Sequence, residues 1–236
     1  MTIVYLSLAD ENDYRLKEIF NHMKAKIGEE TNLASLGKIL FEMGEYDQVE
    51  KCYRHMLCDA QLDRSAAYSG LSKGALGKKN LVDAAKYEQE ALSIKESILP
   101  EGHRDLAVSY SRLGHIYCQQ NDHRKALKYL EKAMKIEEDL MPQEPLILAK
   151  TYNRMASTYA DLDEDQAALE YYEKAANKKD NEFTTPLFLF KAANIAMDLK
   201  NYSKAEQLFT DIKEKYPNSQ YGKDIDKFIN SAKYAQ

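Results

Sequence analysis

The chain has 236 residues and a formal net charge of −5, with 33 basic against 38 acidic side chains, so it does not present the cationic surface that coating a phosphate backbone requires. Nine glycines and five prolines make up about half the usual share of roughly 12%, which leaves hairpin-rich sheet folds without their turn residues and makes helix the expected class. Three cysteines cannot all pair internally and no apolar run approaches the ~18 residues of a membrane span, so the reading is a reduced cytoplasmic protein with no membrane or nucleic-acid partner.

The chain opens on a short apolar run, Ile3-Val4-Tyr5-Leu6, within the strand-like stretch 2–8. No second strand is evident to pair with it. After the acidic cluster between Asp10 and Asp13, Leu16, Ile19, Phe20, Met23 and Ile27 recur at helical intervals up to Gly28, which predicts a capping helix and places a first region at 1–28. From there the chain repeats itself. Lys-Ala-Leu-Lys-Tyr-Leu-Glu-Lys-Ala at 125–133 has a sister, Ala-Ala-Leu-Glu-Tyr-Tyr-Glu-Lys-Ala, at 167–175, an offset of 42 that also relates Tyr68, Tyr110 and Tyr152. In the same frame small residues stand at Gly37, Ser72, Gly114, Ala156 and Ala193. Twelve residues later come Val49, Ala84, Ala126, Ala168 and Ala205, and seven further on Met56, Ala91, Ala133, Ala175 and Ile212.

These residues carry a resemblance to the tetratricopeptide repeat, a helix-turn-helix unit with small residues at its positions 8, 20 and 27. Five copies fit, spaced by 35, 42, 42 and 37 residues against a family period of ~34, so the middle copies resemble the long repeats of kinesin light chains. The resemblance implies an all-α, right-handed superhelical solenoid of five helix hairpins with a cap at each end. Repeats one to four occupy 29–182, repeat five 183–218, and a terminal cap 219–236, whose helix is expected to begin near Ser219. Physically, residues 4, 7, 8 and 11 of a helix advancing 100° per residue lie within about 100° of each other and make one core stripe. In repeat three that stripe is Tyr110, Leu113, Gly114 and Tyr117. The small residue lets the partner helix approach, and the tyrosines fill the flanks.

Repeat two departs from the pattern with Ser72, a charged Glu88 and three glycines, Gly70, Gly74 and Gly77, each costing about 0.5–1 kcal/mol relative to alanine, which makes its first helix the expected weak point. Repeat one carries Val49 where alanine is usual. The start of the chain, from Ile3 through Leu57, is similar to repeat arrays that follow ADP-ribosyltransferase-like domains, while Phe183 to Ala235 is similar to the ends of bacterial repeat proteins. A fusion joined near the polar stretch 177–182, or an engineered array without a ligand, is therefore one reading. An accessory region of an ADP-ribosyltransferase-like protein is another.

Motifs that would carry chemistry are weak. Cys52-x2-His55-x2-Cys58 fans across about 120° of a helix and lacks a fourth ligand, so packing and surface residues are the better reading than zinc. Asp161, Asp163 and Asp165 resemble the opening of a calcium loop, but Gln166 replaces its glycine and Tyr172 its bidentate glutamate, leaving a turn between helices. Gly74-x2-Gly77-Lys78 has neither the spacing nor the hydroxyl of a phosphate loop. No nucleophile or cofactor motif is evident, and the expectation is a non-catalytic scaffold without cofactor or metal.

The face of each first helix opposite the core stripe lines the concave surface of tetratricopeptide arrays. Here it carries Lys38, Lys73, Arg112, His115, Lys150, Arg154 and Lys191, with Asn153 and Asn194 as amides and Glu42, Asp161 and Asp198 toward one edge. A basic stripe inside an acidic protein focuses its field on an extended anionic segment. The expected partner is therefore an acidic or C-terminal peptide, bound by a monomer or weak homodimer. Lys150 and Arg154 resemble the last pair of the carboxylate clamp of chaperone-binding relatives, although Ser69 and Arg112 stand where that clamp has a lysine and an asparagine. Phe41, Leu76 and Met197 are expected to offer apolar contacts, and Gly70 and Gly77 to leave room for the ligand.

Overall fold

One backbone device recurs through the chain: a residue in the left-handed conformation at Gly44 (φ 76°), Lys79 (59°), Asn121 (59°), Asp163 (58°) and Lys200 (58°). Their spacings are 35, 42, 42 and 37, the same as those of the predicted repeats. At each site the next residue's N–H reaches back five positions, as in Asn80 to the carbonyl of Ala75, Asp122 to Tyr117 and Asn201 to Ala196. This is the Schellman closure that ends a helix and satisfies its last carbonyls. The residue that closes one helix then caps the next. Asn80, Asp122 and Asn201 accept the backbone N–H of Asp83, Lys125 and Lys204. Replacing Asn201 with alanine removes such a cap and is expected to cost about 1 kcal/mol, read as a lower thermal midpoint.

The computed structural model describes residues 33–59, 64–140 and 145–235, and places them in eleven helices and no strand. The strand-like start and the predicted capping helix within 1–28 lie outside the described residues. The chain divides at Leu99 and Pro100 into two units. The break is local chemistry: Leu99 is held extended (φ −105°, ψ 147°) before a proline that cannot continue the helix.

The first unit holds α1 (Leu33–Glu42), α2 (Tyr46–Asp59), α3 (Arg64–Gly77) and α4 (Leu81–Ile98). Its glycines correct two expectations. A Cβ on Gly70 would stand 2.2 Å from the ring of Tyr53, one on Gly77 2.2 Å from the ring of Tyr46, and one on Gly74 3.1 Å from Val49. The room beside Gly70 and Gly77 is thus taken by tyrosines of α2, not left for a ligand. These glycines are also packing positions, spaced at i, i+4 and i+7 to receive Tyr53, Val49 and Tyr46. The extra bulk of Val49 is matched by the missing side chain of Gly74. Ser72 fits its small-residue position because its hydroxyl donates to the carbonyl of Ala84 at 2.9 Å, and Glu88 is buried. Phe41, half-buried on α1, packs on Tyr46 at 5.7 Å between ring centroids.

The second unit holds α5 (Arg104–Gln119), α6 (His123–Asp139), α7 (Pro145–Ala160), α8 (Asp165–Lys178), α9 (Thr185–Asp198), α10 (Tyr202–Lys215) and α11 (Ile225–Ala235). Within it each helix packs on its neighbour in sequence, and α5 also touches α7. The close approach is real at Gly114, where a Cβ would meet Leu130 at 2.6 Å and the carbonyl of Ala126 at 3.3 Å. Tyrosines flank it as the stripe requires: Tyr117 stacks on Tyr129 at 5.5 Å, and 42 residues on Tyr159 stacks on Tyr171 at 5.4 Å. Ala84, Ala126, Ala168 and Ala205 are fully buried, as are Ala91 and Ala133. The core passes without a gap across 177–182, where Ala175 and Ala176 of α8 share a cluster with Phe188 of α9. Met197 packs against the core that runs on to α11.

The terminal helix starts at Ile225, six residues later than Ser219. Ser219 is occupied otherwise: its hydroxyl donates to the carbonyl of Tyr216 and accepts the N–H of Gly222, closing a turn after Pro217. Ile225, Ile229 and Ala232 are nonetheless buried as one stripe.

Candidate functional site

In the second unit the first helices of successive hairpins, α5, α7 and α9, carry polar side chains that meet in a fixed register. Arg154 of α7 donates from Nη1 to Ser111 Oγ of α5 at 2.6 Å. Lys191 of α9 donates from Nζ to Asn153 Oδ1 of α7 at 3.2 Å. Arg154 and Lys191 occupy the same place in their repeats, as do Ser111 and Asn153, so one contact is made twice: a cation reaches back to the polar residue of the preceding hairpin. Each cation is further fixed by its surroundings. Thr158, one turn beyond Arg154, donates its hydroxyl to the Arg154 carbonyl at 2.8 Å and lies 3.0 Å from Cys118 Sγ. Lys191 lies 5.4 Å from the centre of the Tyr172 ring, a cation–π contact, and the hydroxyl of Tyr172 is 2.8 Å from Ser157 Oγ.

Burial has an electrostatic cost here. Loss of water lowers the pKa of both Arg154 and Lys191, opposed in part by the field of Glu137 at the first and of Asp161 at the second. Among the described residues neither makes an ion pair. His115 stands one turn after Ser111 on α5 and is pushed below the ordinary histidine value, first by burial and then by the charge of Arg154. Cys118 is held as the thiol by burial.

The predicted residues divide. Asn153, Arg154 and Lys191 share this network, and His115 lies within the field of Arg154. Asn194 turns back on its own helix, its amide donating to the Phe190 carbonyl at 2.9 Å. Arg112 is half-buried on α5 and Lys150 exposed on α7, one turn from Arg154. Lys38, exposed on α1, and Lys73, half-buried on α3, belong to the first unit. Ser111 and Tyr172 were not among the predicted residues. Ser111 could have been found by ruler, because it stands 42 residues before Asn153.

Nothing in the other motifs competes with this cluster. Cys52 is buried and its thiol pushed up to about 12, the wrong direction for a thiolate ligand; the side chains of His55 and Cys58 lie outside the described residues. Asp163 is the left-handed residue of a helix-to-helix turn, as its sequence context implied. No group of three or more metal-capable side chains is found among the described residues, and no described helix is long and apolar enough to cross a membrane.

Family models described as tetratricopeptide repeat match residues 63–139, 149–177 and 188–219. The chain belongs to the tetratricopeptide-repeat family. Its fold is the family's all-α repeat solenoid, and it is a protein-interaction scaffold in the family's general sense. Among solved structures it is similar to BtubC from P. vanneervenii, with a TM-score of 0.70, 18% identity, and coverage of 84% of this chain and 80% of that one. It is similar to a putative kinesin light chain of Podospora anserina with nearly identical repeats, with a TM-score of 0.66, 14% identity and coverage of 77% and 92%. A signal-transduction ATPase with a tetratricopeptide-repeat sensor from Pyrococcus horikoshii gives a TM-score of 0.72 at 18% identity, the similarity covering 86% of this chain and 32% of the ATPase. No curated protein matches the sequence significantly.

Proposed function

We propose that this tetratricopeptide-repeat protein captures an extended acidic segment of a partner protein along α5, α7 and α9, with Arg154 and Lys191 as its principal charge partners. The observation that carries this reading is the pair of cations that burial has desolvated, each within the field of an acidic side chain (Glu137 for Arg154, Asp161 for Lys191) but in direct ion pair with none among the described residues. A buried charge is costly until an opposite charge replaces the lost water, and the bonds to Ser111 and Asn153 are to neutral oxygens that leave that charge in place. A carboxylate arriving from solvent supplies a direct ion pair. Because both cations are already held by a neighbouring hairpin, less side-chain freedom is lost on binding. Arg112 and Lys150 lie on the same helices and add to the field.

The test is fluorescence polarisation of labelled aspartate- and glutamate-rich peptides against their asparagine and glutamine counterparts. Acidic peptides are expected to bind, with affinity that falls as ionic strength rises. Equal binding of the amide series, or affinity indifferent to salt, refutes the reading.

A further inference from the structure

Ser111, His115 and Arg154 form a cluster that the acidic-segment reading alone does not use in full. Arg154 commits one nitrogen, Nη1, to Ser111. A guanidinium has five N–H donors in a planar fork, so the bond to Ser111 leaves donors with which Arg154 can take a carboxylate. His115 follows Ser111 by four residues on α5, the spacing at which side chains lie about 5–6 Å apart on one helix face. Its imidazole is half-buried and feels the charge of Arg154. A carboxylate docked on the guanidinium therefore arrives next to the imidazole.

We propose that this cluster is a carboxylate seat that takes up one proton, on His115, when it is filled. The inference rests on the acidic-segment reading and adds its regulation. With the seat empty, burial and the Arg154 charge both favour the neutral imidazole. With a carboxylate in place, the guanidinium charge is offset and an opposite charge faces the ring, so the imidazolium is favoured. The proton binds more tightly in the filled state. By linkage, affinity rises as pH falls through the interval between the two titrations, by at most about tenfold per pH unit for one proton.

The other groups around His115 do not reproduce this. From α7 the charged group that faces it is Arg154, which stays protonated throughout. On its own helix Arg112 precedes it by three residues and Cys118 follows by three, the latter a neutral thiol in contact with Thr158. No charged group of α6 perturbs it among the described residues. Aspartates of the ligand remain ionised above about pH 5.

The experiment measures the affinity of the whole chain for an alternating aspartate–serine peptide between about pH 5 and pH 8 at fixed ionic strength, with the His115 ring followed by NMR. The expected result is tighter binding at lower pH and a His115 titration that moves upward when the peptide is added. His115→Gln is expected to lose the slope, its affinity changing little between about pH 5 and pH 8. A slope that persists in His115→Gln, or a parent affinity independent of pH, overturns the proton-coupled seat and leaves the acidic-segment reading standing. No binding at any pH overturns both.

Discussion

Gly70→Ala is expected to destabilise the first unit by about 1–3 kcal/mol, against the usual direction of such a change. Within a helix, alanine is normally better than glycine by about 0.5–1 kcal/mol. Here space decides the sign. The new methyl would stand 2.2 Å from Tyr53 Cε1, and the same ring lies against Gly37 of α1, where a Cβ would be 2.6 Å from Cε2. Tyr53 is buried at 4% exposure, so its ring cannot swing into solvent without giving up its core contacts. The measurement is a denaturant titration of the variant. A second variant isolates the cause: Tyr53→Leu should cost stability alone yet cost less in the Gly70→Ala background, because the clash is then gone. A Gly70→Ala protein more stable than its parent would show that the glycines of α3 are slack.

The repeat frame was legible in the chain because it depends on one-body features: a small residue where helices approach, a polar cap shortly after a helix ends, and a spacing that keeps them in step. The left-handed turn residues sit at those spacings although four of the five are not glycine, so their position was legible only through the frame. What sequence reading missed is pairwise. Gly70 looks like a helix weakness until Tyr53 is seen against it, Val49 looks like a misfit until Gly74 is found opposite, and Ser219 looks like the start of the terminal helix until its hydroxyl is found closing the Tyr216–Gly222 turn. The same holds for the site. The assignment of the cations to one helix face follows from helical phase, which is local. Ser111 as the anchor of Arg154, and Asn153 as the anchor of Lys191 instead of a free ligand donor, depend on the register between neighbouring hairpins.

Reversing both anchored charges, Arg154→Glu with Lys191→Glu, is expected to abolish binding of acidic peptides, each reversal costing about 2–5 kcal/mol of affinity as for other desolvated charge pairs. The size follows from where the charges sit. An exposed lysine such as Lys150 works through screened water, so its removal should cost about 1 kcal/mol or less. Arg154 and Lys191 have lost much of that water, which is what lowers their pKa, and a carboxylate in their place would repel the ligand in the same weakly screened setting. Folding and binding can be separated in these variants. A carboxylate introduced at position 154 can still accept the hydroxyl of Ser111, and one at position 191 the amide of Asn153, so the parent circular dichroism spectrum should be retained. The informative control is exchange of ligand charge: the doubly reversed protein is expected to bind lysine-rich peptides that the parent rejects. Acidic peptides that bind parent and reversed proteins alike would mean that the polar ladder of α5, α7 and α9 joins the hairpins to one another and does not meet a partner.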